Sequence, residues 1–159
     1  MEKNEFKIIR IFNAPRQMVF KAWTDPVYVK QWWGPAEFMS PHCKIDFKVG
    51  GQFHFCMRAP DGTEYWNVGT YQEIVVPERI VSIMHFADKD ANILPSSHYF
   101  GESDFPDEMI DIVTFETYEG DKTKLTICRN HSLSLANKFG EIQGWNQSLD
   151  KVAKVVERS

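Results

Sequence analysis

The hydrophobic period of this chain changes once, and that change limits the fold more than any other feature. Between residues 43 and 130 apolar side chains recur at every second position in one segment after another. Cys43, Ile45 and Phe47 alternate with Lys44, Asp46 and Lys48, and Phe53, Phe55 and Met57 alternate with Gln52, His54, Cys56 and Arg58. Such alternation predicts strands with one buried and one wet face. It places Cys43 inward and His42, His54 and Cys56 outward. Val49-Gly50-Gly51 reads as a three-residue hairpin loop, which sets Lys48 opposite Gln52, Asp46 opposite His54 and Lys44 opposite Cys56. Further strands are predicted over 63–75, 79–87, 108–118 and 122–130, with turns at Pro60-Asp61-Gly62, Val76-Pro77-Glu78 and Glu119-Gly120-Asp121. After residue 136 the period becomes 3.6. Ile142, Trp145, Leu149, Val152, Ala153 and Val156 make one stripe, which predicts a single long amphipathic helix to about residue 157.

The N-terminal third supplies one more strand, over 5–12, and two short helices. Pro15 and Asp25-Pro26 mark their starts, and Gly34-Pro35 ends the second. Met18, Val19, Phe20 and Trp23 give the first an apolar side; Tyr28, Val29, Trp32 and Trp33 do so for the second. The predicted order is strand, two short helices, six strands, long helix. That is an α+β fold in which a mainly antiparallel sheet of about seven strands is covered by the C-terminal helix. No linker or repeat divides the 159 residues, so residues 1–159 read as a single domain.

Charge and cysteine content exclude several classes of function. The net charge of −4 and pI of about 5.7 argue against a nucleic-acid binder, which carries a basic domain. Three cysteines, Cys43, Cys56 and Cys128, form no CxxC pair and predict reduced thiols and a cytoplasmic location. Neither a signal peptide nor a membrane span is expected. Aromatic residues make up 14% of the chain, and rings in that number need a core or a cavity to line.

The punctuating residues resemble those of the START/Bet v 1-like superfamily, and more closely the group named after the activator of Hsp90 ATPase. The matching pieces are Phe12-Asn13-Ala14-Pro15 with Val19-Phe20-Lys21-Ala22-Trp23, Trp32-Trp33-Gly34-Pro35, and Asp46 ahead of Gly50-Gly51. Gly69-x-Tyr71-x-Glu73-Ile74, Pro77-Glu78-Arg79-Ile80-Val81, Val113-Thr114-Phe115 and Gly144-Trp145-x-x-Ser148-Leu149 follow in order. The resemblance implies a helix-grip fold: a curved sheet wrapped on the C-terminal helix with a cavity between them. It implies no particular reaction, because such folds host lipid carriers, hormone sensors, cyclases and co-chaperone domains.

Three functions follow as expectations. The first is binding of a hydrophobic or amphipathic small molecule, in a cavity walled by Trp33, Phe53, Phe55, Met57, Phe86, Tyr99, Phe100, Phe115, Trp145 and Leu149. The second is a chaperone-linked interaction domain. The third is a small cyclase or hydrolase, for which Glu73, His85, His98, Asp111 and Glu116 are the titratable candidates. The sequence commits to no catalytic set. GxSxG, GxGxxG and Walker patterns are missing, so no cofactor is expected. No metal site is expected either, since alternation points Cys43 away from His42, His54 and Cys56. Glu73 has a structural alternative, an ion pair with Arg79, and Lys44 beside Cys56 predicts a lowered thiol pKa. Residues 88–107 read as a flap over one end of the cavity. The chain is expected as a monomer or homodimer.

Overall fold

The computed structural model describes residues 5–157. Eight strands, β1 (Glu5–Phe12), β2 (Met39–Ile45), β3 (Gln52–Arg58), β4 (Glu64–Val75), β5 (Arg79–Ala87), β6 (Ile93–Leu94), β7 (Glu108–Tyr118) and β8 (Lys122–Ser132), form one antiparallel sheet. Its order is β1-β8-β7-β5-β4-β3-β2, with the two-residue β6 added beside β5. Register breaks in β1, β2 and β4 mark bulges, the device that bends a sheet.

Helices α1 (Arg16–Thr24) and α2 (Pro26–Trp32) follow β1, as the proline signals predict. Asp25 caps α2 by accepting from the Val27 amide at 2.9 Å, and Pro26 fills its first position. Phe6 and Phe12 of β1, Phe115 of β7, Leu125 and Ile127 of β8, and Leu149 and Val152 near the C-terminus are all 1% exposed or less. Each such side chain contributes about 1.5–3 kcal/mol of burial. Trp32 is buried among them and donates its indole N–H to the Ala22 carbonyl at 2.8 Å, locking α2 to α1.

Three local expectations are corrected. The C-terminal helix is two helices, α4 (Leu133–Lys138) and α5 (Glu141–Val156). Phe139 turns inward to meet Phe105 edge-on at 4.9 Å, and Gly140 takes a left-handed φ of 72° that breaks the helix. The β2–β3 connection is also longer than predicted. Ile45 pairs with Phe53 and Lys44 with His54, so Asp46 does not face His54 and Cys56 faces His42 rather than Lys44. The cause is Phe47, which leaves the ladder to pack on Phe20 and Tyr71. Gly51 lies so close to the Asp46 carbonyl that a Cβ there would overlap it.

The third correction concerns the outer face of β3. His54 and Cys56 are buried, not wet. Trp66 of β4 stacks on His54 at 5.0 Å, His42 meets both rings, and the His54 Nε2 lies 2.9 Å from the Asp88 carbonyl. The segment after β5 folds back over that face, which no alternation pattern records. Burial, with Glu64 nearby, pushes the Cys56 thiol up to about 11 instead of lowering it.

Candidate functional site

A cavity of about 300 Å³ lies between the inner face of the sheet and the start of α5. Gly34, Pro35 and Phe38, after α2, border it on one side. Phe100, at the end of α3 (Ser97–Phe100), and Phe105 border it on another. Met57, Met84 and Met109 come from β3, β5 and β7, and Phe86 from β5. Methionine side chains adapt to more than one shape, so a wall with three of them is deformable. A second, smaller space of about 50 Å³ lies deeper, against Trp23, Phe53, Phe55, Tyr71 and Ile80.

Of the ten expected cavity residues, Trp33, Met57, Phe86, Phe100 and Trp145 line the larger cavity. Phe53 and Phe55 line the deeper space, which Trp33 and Trp145 also border. Phe115 and Leu149 sit in the closed core at 1% and 0% exposure. Tyr99 stands behind the wall: its hydroxyl donates to the Ala87 carbonyl at 2.6 Å and accepts from the Trp66 amide, while its ring packs on Tyr65 and Phe86. The two tryptophans after Gln31 therefore divide their roles, Trp32 in the core and Trp33 at the cavity.

The segment 88–107 is held across this end of the molecule. Buried Ser96 donates its hydroxyl to the Phe105 carbonyl, and its amide donates to the Asp107 carboxylate, both at 2.8 Å. Phe100 is 40% exposed and borders the opening. Across from it, Lys151 of α5 donates to the carbonyls of Gly34, Pro35 and Phe38 at 2.9, 2.8 and 3.1 Å. That staple fixes the opposite rim to the helix. Burial lowers the pKa of this ammonium.

The sequence offered Asp111 only as a titratable candidate, and its partners Arg129, Glu141 and His131 went unread. Arg129 of β8, with a side chain 5% exposed, lines the cavity. Its Nε and Nη2 donate to both oxygens of Asp111 at 2.6 and 3.0 Å, and its Nη1 donates to Glu141 at 2.8 Å. The other Glu141 oxygen lies 2.7 Å from the His131 Nε2. The guanidinium is flanked by Phe6 and Trp145, 5.6 and 5.7 Å from the ring centres. Burial works against the Arg129 charge, but Asp111 and Glu141 outweigh it and hold the group protonated. The break at Gly140 is what brings Glu141, the first residue of α5, over this arginine.

Of the five acid–base candidates, only Asp111 is buried, and it is tied to Arg129. Glu73 pairs with Arg79 at 2.9 Å, as its structural alternative predicts. His85 pairs with Glu108 at 3.2 Å, while His98 and Glu116 are exposed. Among the described residues no three His, Cys, Asp or Glu side chains group so as to hold a metal ion. Among the same residues no helix is long and apolar enough to cross a membrane.

Residues 13–157 match the family described as activator of Hsp90 ATPase homolog 1-like protein. The chain belongs to this family. A comparison with curated protein sequences finds no match. Solved structures of bacterial proteins share the fold. One from Chromobacterium violaceum is 25% identical, with a TM-score of 0.75 over 98% of this chain and 99% of that one. One from Arthrobacter aurescens is 22% identical, with a TM-score of 0.79 over 98% and 87%. One from Nitrosomonas europaea is 19% identical, with a TM-score of 0.77 over 97% and 94%. The sheet and C-terminal helix agree with the helix-grip architecture of the wider START/Bet v 1-like superfamily, a fold of ligand-binding and Hsp90-activator-like domains.

Proposed function

We propose that this protein binds a hydrophobic or amphipathic small molecule in the cavity between the sheet and α5. The observation that carries this reading is the open space itself. A chain with 12 Phe, 5 Trp and 5 Tyr has rings enough to fill its interior, yet about 300 Å³ stays unfilled behind Trp33, Met57, Phe86 and Trp145. A space of that size, apolar with a few polar groups, is at the lower end of small-molecule sites, about 300–1,000 Å³.

The test is fluorescence titration with N-phenyl-1-naphthylamine, an uncharged apolar probe, beside thermal melts of the same proteins. The wild type is expected to bind it. Met84→Trp is expected to fill the cavity and weaken binding at least tenfold while keeping a cooperative melt. Phe100→Ser is expected to speed release more than it slows entry, because it opens the rim. Absence of probe binding in the wild type refutes the reading.

The family match favours a second reading, a domain that docks on an Hsp90-type chaperone. A rise in the ATPase rate of a purified Hsp90-type chaperone on addition of this protein supports it. The test needs no cavity ligand.

A further inference from the structure

The polar end of the cavity is backed by more negative than positive charge, although its most conspicuous residue is an arginine: Asp111, which borders the smaller space, stands behind Arg129. Arg129 and Glu141 are the charged residues in the lining. Every hydrogen bond recorded for the guanidinium goes to a carboxylate: two to Asp111 and one to Glu141. Its two flanks are taken by the Phe6 and Trp145 rings. Two carboxylates therefore stand against one guanidinium, with His131 hydrogen-bonded to one of them. In neither protonation state of His131 does the group carry net positive charge. The N-terminus of α5 would favour an anion, but Glu141 already occupies its first turn. Lys151 donates its ammonium protons to three carbonyls at the rim.

A carboxylate entering this cavity would lose its water and meet a guanidinium whose charge Asp111 and Glu141 already balance. The two N–H groups that Arg129 does not spend on them offer hydrogen bonds but no net positive charge, the costly case for a buried anion. A hydroxyl or an ammonium group meets the opposite situation, since carboxylate oxygens keep lone pairs beyond those given to Arg129 and His131. We propose that the cavity selects by sign of charge. It takes amphiphiles whose polar end is uncharged or cationic and excludes carboxylates with the same apolar body. This rests on the binding reading above and names its ligand class.

The test displaces bound N-phenyl-1-naphthylamine with 1-decanol, decylammonium and decanoate at pH 8. Decanol and decylammonium are expected to displace it, each at least tenfold better than decanoate. An apolar pocket indifferent to sign would exclude both ions alike, so equal displacement by decylammonium and decanoate overturns this inference and leaves the binding reading standing. Stronger displacement by decanoate does the same. Failure of the naphthylamine itself to bind overturns both. Glu141→Gln removes one carboxylate at constant shape and is expected to lower the decylammonium-to-decanoate ratio at least fivefold. An unchanged ratio in a folded variant overturns the inference. Asp111→Asn serves the same purpose should Glu141→Gln fail to fold.

Discussion

Replacing Arg129 by methionine keeps much of its volume, strands Asp111 and leaves Glu141 only its contact with His131. The side chains of Arg129, Asp111 and Glu141 are 5%, 12% and 10% exposed, so water does not compensate either acid. Removing one partner of a buried ion pair costs about 3–5 kcal/mol, and here one cation serves two anions, which puts the expectation near the upper end. Against a total stability of about 5–15 kcal/mol, that is a large fraction. For a chain of this size each kcal/mol moves the midpoint by about 2–4 °C, so Arg129→Met is expected to lower Tm by roughly 6–20 °C. The pH dependence gives an independent check. Protonation discharges a stranded carboxylate, so the folded variant holds protons more tightly than its unfolded chain. Acid therefore favours folding of the variant relative to wild type, and the gap narrows as pH falls. Urea unfolding monitored by tryptophan fluorescence at several pH values measures both effects. The triple variant Asp111→Asn, Arg129→Met, Glu141→Gln, with no charge left to strand, is expected to regain most of the loss. A loss under about 1 kcal/mol, or a gap that does not change with pH, refutes the reasoning.

Other expectations follow from the packing. Trp145 stacks on Trp23 at 6.2 Å and meets Trp33 edge-on, but it also borders the cavity. Trp145→Ala is therefore expected to cost about 1–3 kcal/mol in urea unfolding, below the roughly 3–5 kcal/mol of a fully enclosed aromatic. A Cβ at Gly69 would overlap the Phe53 ring and the Ile83 carbonyl. Gly69→Ala is expected to destabilise by about 1–3 kcal/mol, and an unchanged melt would contradict the close approach of β4 and the Phe53 ring. Burial pushes the Cys56 and Cys43 thiols up to about 11 and about 12. Ellman's reagent at pH 8 is expected to react slowly with both in the native protein and rapidly in urea; fast native reaction at Cys56 would contradict its burial.

The strand and helix order was legible because alternation and the proline and glycine signals report local backbone and one buried face. Two kinds of feature escaped. The covering of His54 and Cys56 depends on where residues 88–94 fold back, a long-range event with no local pattern. The break at Gly140 escaped because the stripe from Ile142 onward looks the same whether or not a helix precedes it. The Asp111–Arg129 pair was within reach. The turn at Glu119-Gly120-Asp121 sets Tyr118 opposite Lys122, and counting back places Asp111 opposite Arg129, as observed. Both lie in phase with buried neighbours, Met109 and Val113 for Asp111, Leu125 and Ile127 for Arg129. Opposite charges at facing, inward positions of two predicted strands are a signal in their own right. Of the expected cavity residues, those on strands, such as Phe53 and Phe55, were recognisable as inward-facing, whereas Phe100, in the long connection, is 40% exposed. Which of them face empty space was not legible, since alternation gives a side and not a depth.

The cavity takes its walls from two sources that differ in how freely they can change. Met57, Met84, Phe86 and Met109 hang from strands fixed on both sides by ladder hydrogen bonds, while Phe100 ends the one-turn helix α3 and Phe105 and Phe139 stand on connections between elements. The solved relatives keep this fold while about three quarters or more of their residues differ. Substitution at Phe100, which is 40% exposed, would alter the width of the opening without disturbing the Phe6, Phe12, Leu125 and Leu149 core, whereas Phe105, 8% exposed, belongs to that core. On the binding reading proposed above, what the cavity admits can change at its exposed rim, at Phe100, while the residues that hold the sheet and helix together stay as they are.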